Sequence, residues 1–244
     1  CDENAQIGGM VAENAGGIKS GKHGVMRNNI RGLEVVLPTG EVLQLNGKLQ
    51  KNNAGYDLMQ LVIGSEGTLC VITKVMLHIV PRPHFGATIL VSFDNYEQAT
   101  DASTKVLQAG VTPIGIEYLD RTIALKTVDF LCQNWPLKKG KVDLMFIMAE
   151  ENEDVAFNVC GMIEEICSSS GAVESVIFDG MEDQERVLDI RKSTYHATKA
   201  QLVDTLDITV PPAEIPALMR GFNQIAAKYG VIFDTVGHVG DGNV

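Results

Sequence analysis

A chain of 244 residues is long enough to bury a sizeable core and suits one large or two small domains. Its 45% hydrophobic and 21% charged residues lie in the ordinary globular range, and no uninterrupted apolar run is long enough to span a bilayer. The formal net charge of −11 argues against nucleic acid or an anionic membrane surface as partner and suits a basic electron-transfer partner, though acidity is common among soluble proteins.

Ile7 to Gly17 (IGGMVAENAGG) is almost without bulk. It reads either as a small-residue turn where two elements pack closely, or as a run of backbone N–H donors that could cradle carbonyl or anionic oxygens. Arg31 to Leu45 reads as a hairpin turning at Pro38-Thr39-Gly40. Asp57 to Ile63 reads as a short helix ahead of a Gly64-Ser65-Glu66-Gly67 turn. Cys70 to Val80 reads as a long strand, with Val71, Thr73, Val75, Leu77 and Ile79 on one face and Ile72, Lys74, Met76, His78 and Val80 on the other. Pro81-Arg82-Pro83 cannot continue a central strand and marks a domain boundary, giving domains over residues 1–83 and 84–244.

Beyond the boundary, strands alternate with helices. Ala87–Phe93, Pro113–Tyr118, Val142–Ala149, Val173–Phe178, Asp207–Val210 and Val231–Val236 read as strands. Tyr96–Ala109 reads as a helix between an Asn95 cap and Gly110. Glu151–Ser168 reads as an amphipathic helix with Val155, Val159, Met162, Ile163 and Ile166 on one face. Glu182–Gln201 reads as a long helix, and another runs from Pro211-Pro212 to about Tyr229, stopping at Gly230. The pattern predicts an α+β fold with helices on one face of an antiparallel sheet. Five cysteines (Cys1, Cys70, Cys132, Cys160, Cys167) show no metal or CxxC spacing and read as thiols of a reducing compartment, which places the protein in the cytoplasm.

Five segments, in order, carry a resemblance: Gly8 to Gly17, Gly32 to Glu41, Asn53 to Leu58, Gly64 to Thr73 and Gly237 to Asn243. Together they resemble the FAD-linked oxidases of the vanillyl-alcohol oxidase type, in the branch of glycolate oxidase flavoprotein subunits, D-lactate dehydrogenases and D-2-hydroxyglutarate dehydrogenases. The resemblance implies the second lobe of a PCMH-type FAD-binding domain followed by a ferredoxin-like α+β substrate (cap) domain. It also implies that a phosphate-binding lobe precedes Cys1 and that further site residues follow Val244, so the chain reads as an internal fragment. FAD is the expected cofactor, contacted by Gly8, Gly9, Ala12, Asn14, Ala15, Gly16, Gly17, Gly64, Glu66, Gly67 and Ile72. Cys70, where the family usually has glycine, reads as filling a small gap.

On its own, His238 with no second ligand in spacing reads as structural, and Arg191 as a solvated helix arginine paired with Glu185 or Asp189. The resemblance implies otherwise. Arg191, with Lys192 as second choice, would hold the substrate carboxylate. His238 would help bind a divalent metal (Zn, Mn or Fe) whose other ligands lie past Asn243, and Asp241 and Asn243 would sit beside it. His238 and Asn243 join Arg191 as candidate catalytic residues, with the base beyond Val244. The implied reaction is oxidation of a small D-2-hydroxy acid to the 2-oxo acid, with electrons passing to a partner subunit or quinone; any membrane attachment would come through that partner. Some members have a lysine before the aspartate matching Asp207; Thr205 and Leu206 stand here, which favours lactate or glycolate over a dicarboxylate. The competing readings are a non-catalytic assembly subunit with a flavoprotein fold and an inactive fragment of the enzyme.

Overall fold

The computed structural model describes residues 5–244, so Cys1 lies outside the described residues. The chain forms two compact units that divide between Arg82 and Pro83. The first contains α1 (Ile7–Ala12), α2 (Ser20–His23), a 3-10 turn over Met26–Asn29, β1 (Ile30–Val36), β2 (Val42–Asn46), α3 (Leu58–Val62) and β3 (Val71–Leu77). Its antiparallel sheet has the order β2-β1-β3. The expected hairpin closes where Gly40 takes φ +84° and the Leu37 N–H donates to the Glu41 carbonyl, a conformation for which a side chain would be strained.

Two expectations for this unit are corrected. Strict alternation along β3 fails because the pairing slips by one residue: Glu34 stands opposite Lys74, but Val35 stands opposite Ile72. Thr73 is the extra residue, and its hydroxyl donates to the Glu34 carbonyl at 3.1 Å. This bulge turns both Ile72 and Val75 onto the core of Val11, Leu33, Val35, Met59 and Ile63, while Val71 and Leu77 face outward. The glycine-rich start is likewise no open loop. Ile7–Ala12 is helical, and the N–H groups of Met10, Glu13, Asn14 and Ala15 are spent on Gln6, Gly9, Val11 and Met10 carbonyls. Two glycines oppose a helix by roughly 1 kcal/mol each. Burial of Val11 and packing of α1 on β3, with Gly8 close over the Ile72 carbonyl, override that local preference.

The second unit contains β4 (Phe85–Phe93), α4 (Tyr96–Gln108), β5 (Gly115–Asp120), α5 (Arg121–Phe130), β6 (Val142–Glu150), α6 (Glu153–Ser169), β7 (Ala172–Phe178), α7 (Met181–Thr198), α8 (Ile215–Tyr229) and β8 (Val236–His238). The five-stranded sheet has the order β7-β4-β6-β5-β8, and its pairings are antiparallel. The first four strands with α4 and α6 form the ferredoxin-like arrangement of two strand–helix–strand crossovers, and β8 extends the β5 edge. Local chemistry accounts for the helix ends. Asn95 and Asn152 accept from the Gln98 and Val155 N–H groups at 3.0 and 2.9 Å, and Gly230 closes α8 in the left-handed conformation.

Helices cover both faces of this sheet, not the single face expected. Ile89, Val91 and Phe93 of β4 and Leu144, Phe146 and Met148 of β6 pack with Ala102 and Val106 of α4, Ile163 of α6 and Met219 of α8. The alternate positions Leu90, Ser92, Glu117, Leu119, Asp143 and Met145 are also buried, on the side where α5 packs on β5 and α7 on β4 and β7. The α6 stripe is rotated from the expected one. Cys160, Ile163 and Cys167 are buried, Val159 and Ile166 flank them, and Val155 and Met162 are exposed. Helix α5 was not among the expected elements: Thr122, Ile123, Thr127 and Val128 are β-branched, and Asp120, at its N-cap, bonds other partners and not the helix.

On the α5 side, Arg121 is enclosed. Its Nε and Nη2 donate to Asp143 Oδ2 and Oδ1 at 2.7 and 2.6 Å, and Nη1 donates to the Leu137 carbonyl. Nη2 also donates to Ser92 Oγ and the Lys139 carbonyl. Trp135 Nε1 donates to the same Asp143 at 2.9 Å. This cluster anchors the 131–141 connection to the sheet. Among the described residues, no helix is long and apolar enough to cross a membrane.

Candidate active site

The site forms where the end of the chain returns to the β5 edge. Val231–Val236 was expected as a strand, but pairing starts only at Val236, opposite Leu119, and continues to His238, opposite Glu117. The preceding segment is held by clips instead. Thr235 N–H donates to Asp120 Oδ2 at 2.7 Å, Tyr118 hydroxyl donates to Asp120 Oδ1 at 3.0 Å, and Asp234 takes hydrogen bonds from Thr122 and Lys126. These clips set the register that puts His238 across from Glu117.

Burial outweighs the hydrogen bonds at Asp120 and lifts its carboxyl from 3.8 to about 6. Between these values the folded chain holds a proton that the unfolded chain has released. Stability from this group therefore falls as pH rises from about 4 to about 6 and stays lower above, a difference on the order of 1–3 kcal/mol. Asp120→Asn keeps an acceptor for Thr235 N–H without the charge. It should raise the urea midpoint at pH 8 and flatten the pH dependence between 4 and 6; a lower midpoint at pH 8 would contradict the assignment.

Glu117, on β5, is fully buried and holds two partners. His238 Nδ1 lies 2.7 Å from Oε1, and Arg191 Nε, from α7, lies 2.8 Å from Oε2, an ion pair whose N–H is not aligned on the oxygen. Arg191 is therefore neither solvated nor paired with Glu185 or Asp189; it is 9% exposed, and Nη1 has only a 3.5 Å contact to Thr194 Oγ1. Lys192 points elsewhere and bonds Asp189 on the exposed side of α7. With Nδ1 engaged, His238 retains Nε2, and its side chain remains 24% accessible. Glu117 escaped the sequence reading. Its one signal was a lone charge amid Ile114, Ile116, Tyr118 and Leu119, on a strand later found buried on both faces.

Asn243 stands next to His238 through a backbone bridge, but its side-chain amide donates to Asp207 Oδ1 at 2.6 Å and is 3.3 Å from Thr209 Oγ1. The stretch expected as a strand over Asp207–Val210 pairs with this end of the chain as an isolated bridge, with Ile208 and Val244 exchanging N–H···O bonds. Gly242, at φ +95°, lies so close to the Val210 carbonyl that a Cβ would overlap it. Asp241 carries a carboxyl raised mainly by burial. The donor set does not make a metal centre. Among the described residues no three His, Cys, Asp or Glu side chains converge, and Glu117 is committed to Arg191 and His238.

In the first unit, the end of α1 is sewn to the 64–68 turn: Gly64 and Glu66 N–H donate to the Val11 and Ala12 carbonyls at 3.1 and 2.8 Å. Asn14 and Glu66 take φ near +50°, and Gly64 and Gly67 are also left-handed. Gly9, Ala12, Glu13, Glu66 and Gly67 line a shallow notch, three of them with a methyl or less. Asn14 Oδ1 accepts from Arg27 N–H, Gly17 N–H donates to Ser20 Oγ, and the Ala15 carbonyl accepts from Met26, so these serve the local fold. A side chain at Gly16 would bring its Cβ within 3.2 Å of Ser20 Oγ and Val25 Cγ1, and the Ile72 side chain faces the core. Cys70 is buried in that core, filling space between neighbours.

A family model described as FAD linked oxidases, C-terminal domain, matches residues 82–244, and one described as FAD binding domain matches residues 1–46. The chain is 33% identical over 244 residues to D-lactate dehydrogenase of Archaeoglobus fulgidus, covering 99% of this chain and 53% of that protein. It is 34% identical over 240 residues to glycolate oxidase subunit GlcD of Bacillus subtilis, covering 98% and 51%. The chain thus spans about half the length of these curated relatives. Among solved structures, an alkyldihydroxyacetonephosphate synthase shares the fold with a TM-score of 0.64 at 20% identity, over 91% of this chain and 45% of that one.

Proposed function

This chain belongs to the FAD-linked oxidase family, and from that footing we propose that the protein containing it oxidises a small D-2-hydroxy acid of the D-lactate or glycolate class to the 2-oxo acid. The observation that carries the reading is the grouping of Arg191, from α7, with Glu117 and His238 of the paired strands β5 and β8. Arg191 keeps its Nε edge on Glu117 and offers Nη1 and Nη2 to a substrate carboxylate, as two parallel charge-assisted bonds. His238, with Nδ1 held by Glu117, turns the Nε2 lone pair to the substrate hydroxyl and takes its proton. The resulting imidazolium is stabilised by the Glu117 carboxylate. Bound FAD supplies the acceptor for the Cα hydrogen and its two electrons. Gly9, Ala12 and Gly67 would give the ring a nearly bare backbone surface, alongside the side chains of Glu13 and Glu66. The other candidate flavin contacts, Gly8, Asn14, Ala15, Gly16, Gly17, Gly64 and Ile72, shape the segments around it.

Electrons would leave to a protein subunit or a quinone, since no GxGxxG lies between a strand and a helix for a nicotinamide nucleotide. Thr205 and Leu206 offer no second cation, which favours a substrate with one carboxylate. No step is assigned to a metal, because the residues present offer a single imidazole. The test is the flavin spectrum of the full-length protein under anaerobic conditions. D-lactate or glycolate should bleach it and L-lactate should not; a flavin left oxidised by D-lactate, glycolate and other D-2-hydroxy acids would remove the reading.

A further inference from the structure

We propose that Glu117 is the positioning residue of this site, one carboxylate that fixes both the proton on His238 and the orientation of the Arg191 fork. The inference rests on the proposed reaction only for its kinetic consequence; the geometry stands without it. Glu117 has no accessible surface, so bulk water does not reach its two oxygens. Oε1 is taken by His238 Nδ1 and Oε2 lies against Arg191 Nε. The β5–β8 register places Glu117 and His238 directly opposite one another, so the contact is built into the sheet. Arg191 reaches the same carboxylate from α7, which packs on the sheet face carrying Glu117.

The chemistry follows from donors and acceptors. An ionised carboxylate accepts only, so the imidazole nitrogen facing it must carry hydrogen. That leaves Nε2 without one and able to accept. The same carboxylate occupies the Nε edge of Arg191, so only the Nη1–Nη2 edge can meet an incoming anion. Glutamine has nearly the same shape but a single acceptor oxygen. In Glu117→Gln, an amide oxygen facing Arg191 Nε turns the amide NH2 toward His238 Nδ1, which must then accept, and the proton moves to Nε2.

The readout is 15N NMR of the histidine side chains in the full-length, chelator-treated protein, with His238 signals identified by their loss in His238→Gln. The wild-type protein should show neutral His238 protonated at Nδ1. Glu117→Gln should shift the proton to Nε2 and lower the rate of flavin reduction by D-lactate on the order of 10- to 100-fold, the size of effect expected when one charge-assisted hydrogen bond to the reacting histidine is lost. A wild-type His238 protonated at Nε2 would overturn the proposal, and this needs no variant that might fail to fold. So would a Glu117→Gln protein that keeps both tautomer and reduction rate. If no D-2-hydroxy acid reduces the flavin but Glu117 still sets the His238 proton, the reaction assignment falls and the positioning role stands.

Discussion

Replacing Arg121 with methionine is expected to destabilise the unit of residues 83–244 by about 3–5 kcal/mol, the usual cost of leaving one member of a buried ion pair alone. That is a large share of the roughly 5–15 kcal/mol that holds a domain together. Arg121 satisfies both Asp143 oxygens, Ser92 Oγ and the Leu137 and Lys139 carbonyls, and methionine replaces none of these bonds. Asp143 would keep the hydrogen bond from Trp135 Nε1. Burial already raises the Asp143 carboxyl despite Arg121, so without the guanidinium it should rise further. The variant should therefore recover part of its stability as pH falls and the carboxyl takes a proton. Trp135 is the single tryptophan of the chain and touches the cluster, so its fluorescence reports the unfolding midpoint directly. Adding Asp143→Asn should restore part of the loss by removing the stranded charge. A single variant within about 1 kcal/mol of wild type would show that the cluster contributes little.

Arg191→Lys should lower kcat/KM for the hydroxy acid on the order of 100-fold, since losing one charge-assisted hydrogen bond costs about 1.5–3 kcal/mol. Lysine keeps a positive charge near Glu117 but has one ammonium in place of a fork. It cannot hold the carboxylate of Glu117 along one edge and a substrate carboxylate along another. The loss should appear mainly as a raised KM, because the substrate carboxylate is held alike before and during the reaction. Retention of wild-type KM would move carboxylate recognition to another residue. Lys192→Ala should leave KM unchanged, because Lys192 bonds Asp189 on the outer side of the helix.

Much of this fold was legible in local signals. The cap at Asn95, the left-handed Gly230 and the Pro38-Thr39-Gly40 turn each act within a few residues, and each is where the chain's residue types put it. The ordered motifs placed the chain among the FAD-linked oxidases. Arg191 and His238 were named from the sequence, and they meet at one buried carboxylate. The failures share a cause. Ile7–Ala12 contains two glycines and still forms a helix because Val11 is buried by strands distant in sequence.

What the sequence by itself determined is most of the elements, several of their ends and the residue types available for chemistry, all governed by backbone dihedrals and side-chain spacing over a turn or a pleat; α1, α5 and the short pairing of β8 lay outside it. Only the tertiary structure decided the bulge at Thr73, the second helical layer and the partnership of Glu117 with a histidine 121 residues away. Strand register is the physical reason. Pairing β5 with β8 one residue out of step would send His238 to the opposite face of the sheet, and nothing within either strand distinguishes the two alignments.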